Sequence, residues 1–117
     1  MFDFKVGERV KPLNWGTWSM KRFCDIKGIT IAQYFDIIGS GDIQLTDVIV
    51  MLQAAADHGS KGQVKHTEFE VCEWIDADGG LLNPNGQIKA FFEAIAKTHL
   101  VDTTQEEEKK SLNEQNA

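Results

Sequence analysis

The chain has 117 residues, 42% of them hydrophobic and 26% charged, with a formal net charge of -6, seven Phe, three Trp and two Cys. That length suits one domain around one core, and so apolar a composition excludes a wholly disordered chain. The acidic balance argues against a binder of nucleic-acid phosphates, which needs clustered Lys and Arg. Cys24 and Cys72 are too few for a disulfide framework and lack the local pairing of a zinc site. No run approaches the ~18 apolar residues of a membrane span, and no basic start with an apolar stretch behind it marks secretion. The expected protein is soluble, cytoplasmic and single-domain, with no cofactor and no metal.

Residues 1–13 are expected to form a flexible N-terminal arm. Phe2, Phe4 and Val6 alternate with Asp3 and Lys5, a short strand signal that Gly7 ends. One strand cannot stand alone, so the arm is expected to lie over the core or to meet another chain. Residues 14–100 read as a helical domain. Asn14 is a plausible N-cap for a helix carrying Trp15, Trp18, Phe23, Cys24 and Ile26, which Gly28 stops. Thr30 with Gln33 has capping-box spacing and opens a short helix through Tyr34, Phe35 and Ile38. After Gly39-Ser40-Gly41, a third helix runs from about Gln44 to His58 and is closed by Gly59. Thr67 with Glu70 repeats the capping box before Val71, Trp74 and Ile75. Asn83-Pro84 fits an N-cap followed by the first helical position, and Ile88, Phe91, Phe92 and Ile95 fall at i, i+3, i+4 and i+7. The expectation is an all-α bundle of about five short helices. Residues 101–117 are expected to form a flexible acidic tail, because they hold a single large apolar residue after Val101, Leu112, beside Glu106-Glu107-Glu108-Lys109-Lys110.

Chemical motifs are scarce. Asp36 to Asp47 and Asp76 to Gly80 sketch calcium loops, but Ile38, Leu81 and Leu82 stand where such loops need ligands or glycine. Phe23 to Val50 has the rhythm of a helix-turn-helix. A recognition helix must offer cations to phosphates, however, and there is no Lys or Arg from Gly28 to Ser60, while Asp36, Asp42, Asp47 and Asp57 all occur there. His58, His66 and His99 belong to no hydrolytic motif. The same cation-free stretch is rich in Ile, Val, Leu and Met, more than short helices can all turn inward. It is either the centre of the core or in part an exposed surface for an apolar partner. The residues expected to make that surface are Tyr34, Ile37, Ile38, Ile49 and Leu52.

Leu13-Asn14-Trp15-Gly16-Thr17-Trp18, Lys21-Arg22-Phe23-Cys24, Lys27-Gly28-Ile29-Thr30, the Ala-rich run Leu52 to Gly59 and Glu73-Trp74-Ile75-Asp76 together resemble the tail assembly chaperones of long-tailed bacteriophages. The resemblance covers about residues 13–97 and departs from the family pattern at Gly39-Ser40-Gly41 and from Gly79 to Asn85. It implies a non-enzymatic assembly factor that binds the tape measure protein, keeps it soluble, helps recruit tail tube subunits and is absent from the mature virion. The apolar excess and the N-terminal arm allow homo-oligomers, and the acidic charge and hydropathy lead to the expectation of neither a nucleic-acid nor a membrane partner. Many such proteins also exist in a longer frameshifted form, with which the Lys109-Lys110 pair is compatible. The alternatives from other classes are a small helical DNA-binding regulator and another kind of protein-interaction module.

Overall fold

The computed structural model describes residues 2–97, so the expected acidic tail, residues 98–100 of the expected domain and His99 lie outside the described residues. Two strands, β1 (Phe2–Val6) and β2 (Arg9–Leu13), precede five helices: α1 (Thr17–Lys27), α2 (Ile31–Ser40), α3 (Leu45–Gly59), α4 (Glu68–Ala77) and α5 (Gln87–Ala96). The fold is therefore mostly helical rather than purely all-α.

The correction lies in the arm, which is an antiparallel hairpin pairing Phe2 with Leu13 and Val6 with Arg9. Gly7 has φ 63, the left-handed conformation that a two-residue hairpin turn assigns to glycine at its first position. Pro12 is tolerated because pairs alternate along an antiparallel ladder. Counting from the closing Val6–Arg9 pair, Asp3–Pro12 is one that exchanges no ladder hydrogen bonds. The hairpin packs on its own domain: Phe4 and Leu13 are fully buried, and Phe2 meets Phe91 edge to face at 5.6 Å. Its outer edge is partly covered by a side chain. The Gln87 amide accepts from the Lys5 N–H at 2.6 Å and donates to the Lys5 carbonyl at 2.7 Å, in place of a third strand.

Local chemistry sets the helix ends. Thr30 and Thr67 both accept from the backbone N–H three residues on, Gln33 and Glu70, and both capping boxes close as their spacing predicts. Gly28 ends α1 in the left-handed region at φ 67. Two starts differ from expectation. Asn14 does not cap α1, which begins at Thr17; its N–H instead donates to the Ala55 carbonyl of α3 at 3.0 Å. Pro84 is not the first residue of α5. Residues 83–86 form a turn, and Asp78 reaches across it to accept from the Gln87 and Ile88 N–H groups at 3.0 Å, neutralising the helix start from outside the helix.

Helix α3 is the axis of the core. Nine of its fifteen residues are buried, from Asp47 to Asp57, against α1, α4 and β2. Its Ala54, Ala55 and Ala56 are almost fully buried, small residues that let neighbouring backbones come close. Gly59 shows how close: a Cβ there would sit 1.8 Å from the Pro12 carbonyl oxygen. This glycine is the last residue of α3 and serves backbone approach to β2 rather than a left-handed helix stop. Around this axis Phe23, Tyr34, Val71 and Phe91 complete the core.

Candidate functional site

Helices α1 and α3 run antiparallel, so their paired ends define two chemically distinct regions. At one end the Lys27 ammonium meets Asp47 at 2.7 Å, joining the last turn of α1 to the first turn of α3. At the other, the Arg22 Nε donates to Asp57 at 3.2 Å and the Trp18 ring lies 5.6 Å from that of His58.

The Lys27–Asp47 end carries α2 and the α2–α3 linker. Of the five residues expected to form a partner surface, the structure buries three. Leu52 is 1% exposed and Ile49 is also interior, because α3 is enclosed by α1, α4 and β2 and keeps few positions for solvent. Tyr34 is enclosed by Phe23 at 5.5 Å, Phe35 at 5.3 Å and Trp15 at 6.4 Å. Burial pushes its hydroxyl up to about 12, with the adjacent Trp15 indole acting the other way. These three residues hold the fold and cannot contact a partner directly. Ile37 and Ile38 are half-buried, with Ile38 and Phe35 resting against the core edge.

The apolar residues that do reach solvent at this end are Ile31 at 47%, Ile43 and Leu45 at 56% exposure. Ile31 follows Lys27 by four residues and Leu45 precedes Asp47 by two, so the Lys27–Asp47 ion pair draws them to the same end of the molecule. Both occupy the first position of their helices, where a side chain projects beyond the body of the bundle. The signal was present in the sequence: the Thr30 capping box already makes Ile31 the first residue of α2. Asp36 and Asp42 are exposed in the same segment, so the surface is apolar with an acidic border. Helix α2 buries only Tyr34 and packs chiefly on α1.

The opposite end holds the polar side chains. Asp57 is wholly buried, and one of its oxygens accepts from the His66 N–H at 2.7 Å and from His66 Nδ1 at 2.9 Å, while the other accepts from Arg22. Three donors offset the cost of enclosing that carboxylate, and together they pin the loop after α3. Beside it, His58 Nδ1 lies 3.0 Å from Ser19 Oγ, and Nε2 lies 3.4 Å from Asn14 Nδ2. The order Ser–His–Asn resembles a nucleophile arrangement, but the local geometry assigns it elsewhere. Ser19 Oγ donates to the Gly16 carbonyl at 2.9 Å and accepts from the Gly16 N–H at 2.7 Å, so its single proton is committed. His58 Nδ1 is then the donor to Oγ, and Nε2 accepts from the Asn14 amide. Ser19 is fully buried, which leaves a substrate no approach. Burial lowers the His58 pKa, in keeping with a neutral ring that uses both nitrogens.

The sequence-level calcium candidates have structural tasks: Asp47 pairs with Lys27 and accepts from the Gln44 N–H, and Asp78 caps α5. Among the described residues no three His, Cys, Asp or Glu side chains gather as a metal site. The buried Cys24 thiol is pushed up by desolvation and by the nearby Asp25, which disfavours the reactive thiolate. Among the described residues no helix is long and apolar enough to cross a membrane. No protein-family model, curated protein or solved structure matches the chain.

Proposed function

We propose that this chain is a tail assembly chaperone of a long-tailed bacteriophage, acting without catalysis by covering apolar helical stretches of the tape measure protein. The observation that carries this reading is the end of the molecule made by Ile31, Ile43 and Leu45, apolar, exposed and lacking any Lys or Arg from Gly28 to Ser60. An amphipathic helix binds by laying an apolar face against such a surface. A weak site of this kind, presented by many copies along one long helical client, gains strength by avidity. The resemblance of residues 13–97 to the chaperone family supplies the identity of the client.

The surface residues in this account are Ile31, Ile37, Ile38, Ile43 and Leu45. Tyr34, Ile49 and Leu52 act beneath it as the support that fixes α2 and α3. Delivery of tail tube subunits, assembly into homo-oligomers, action in the cytoplasm of the bacterial host and absence from the finished virion belong to the same proposal. Co-expression tests it. The gene should neighbour that of a very long helical protein, and that protein should be soluble when made with this chain and insoluble alone. An equal soluble yield with and without the chain would contradict the reading.

A further inference from the structure

At the end of the molecule opposite the apolar surface lies a basic patch, unusual in so acidic a chain. A cleft there is lined by Trp18, Lys21, Arg22, Asp25, Gly62 and Lys65, and Lys61 is exposed next to it in the chain. Asp25 is occupied by Lys21 at 2.6 Å, and Arg22 is held by the buried Asp57. Lys61 and Lys65 are both exposed. The Trp18 ring lies against Gly62, where a Cβ would come within 3.2 Å of the indole. Lys61 adopts φ 59 to make this turn. The outcome is a half-exposed indole bordered by cations from α1 and the α3–α4 loop, a surface suited to an anionic segment.

We infer that the glutamate run Glu106-Glu107-Glu108 of the same chain occupies this patch. Two observations select that occupant. The first is position. Ala94 and Ile95, in the last turn of α5, line a cavity with Asn14 and Trp15; Asn14 reaches His58, and His58 faces Trp18. The end of α5 is thus only a few side chains from the patch, and the ten residues from Ala96 to Glu106 can span up to about 35 Å. The second is charge. The run places three carboxylates together, and tethering gives them an effective concentration on the order of millimolar without any further contact. The contact shields an indole and a group of cations that would otherwise attract polyanions, and it leaves the apolar end free.

Trp18 supplies the readout, since Trp15 and Trp74 are buried and Trp18 is 41% exposed. Acrylamide quenching of the intact chain at low ionic strength is compared with the variant E106Q/E107Q/E108Q, whose changes lie outside the described residues. The variant should quench about twofold more steeply, and K61Q/K65Q should do the same. Combining the two sets should add nothing further, and about 0.5 M salt should erase the difference. Wild-type quenching should not change with protein concentration. Equal slopes for wild type and variant at low salt would overturn the inference. So would quenching that depends on protein concentration, which assigns the contact to a second copy, or protection of Trp18 in the intact chain by added oligodeoxythymidine, which shows the patch open to nucleic acid.

Discussion

The two ends of the α1–α3 pair are built on opposite principles. Where α3 meets β2 and α1 begins, backbone approaches backbone through Gly59, and Asp57, His66, Arg22, His58, Ser19 and Asn14 interlock by directed hydrogen bonds. Where α1 hands over to α2, the Lys27–Asp47 ion pair ties the end of α1 to the start of α3, and α2 between them buries one of its ten residues. The sequence is at least as apolar at this second end, yet less of it is enclosed. Apolar content there exceeds what the fold uses, and it is this surplus that a binding surface requires.

The comparison breaks most severely at Gly59. Replacing it with alanine drives a methyl into the Pro12 carbonyl, and neither backbone can yield without parting α3 from the hairpin. Gly59→Ala should cost about 3 kcal/mol, read as a fall of about 15 °C in the melting midpoint; at the apolar end, a Cβ at Gly28 or Gly41 would meet nothing within 4 Å. The contrast sharpens with two apolar truncations. Leu52→Ala empties a filled site and should cost roughly 2–5 kcal/mol. Ile31→Ala removes a side chain that is 47% exposed and should stay within about 0.5 kcal/mol in urea unfolding. Equal losses would mean that α2 is tied into the core as firmly as α3.

The smallest effect expected is a pH dependence confined to the interlocked end. Burial lowers the His58 pKa from its ordinary 6.5, so between the two values the unfolded chain binds a proton that the folded chain refuses. Stability from this group is complete above about pH 6.5, declines as the pH falls through that value, and levels off below the depressed native pKa. Urea unfolding at pH 7.5 and 5.5 should show wild type losing more stability than His58→Gln over that interval.

Much of the fold was legible because it depended on local chemistry. Both Thr capping boxes, the Gly28 stop, the Trp74-Ile75 helix and the Ile88 to Ile95 stripe need no knowledge of distant partners. What escaped the sequence was long-range. Strand β2 reads as Arg9-Val10-Lys11-Pro12-Leu13, without β-rich alternation, and exists because β1 and α3 hold it from two sides. Asp78 caps a helix from nine residues away, and the role of Gly59 depends on Pro12. The exposed apolar end was half legible. Its segment followed from the missing cations, but Tyr34, Ile49 and Leu52 were assigned outward, when Phe23, Phe35 and Trp15 enclose Tyr34 and the neighbours of α3 turn Ile49 and Leu52 in. Helix-start positions such as Ile31 and Leu45 were the better guide to which apolar residues reach solvent.

The central claim is that the surplus apolar end binds the client. Its most direct test measures capture of the tape measure protein by wild type, by the double variant Ile31→Asp/Leu45→Asp, and by Phe69→Asp. Phe69 is equally apolar and 73% exposed, but lies on α4. Both variants should keep the wild-type circular dichroism spectrum, since each change lies at an exposed position. The account predicts that the double variant loses capture at least about tenfold, the equivalent of 1.4 kcal/mol, while Phe69→Asp binds like wild type. Full capture by a folded double variant would contradict it.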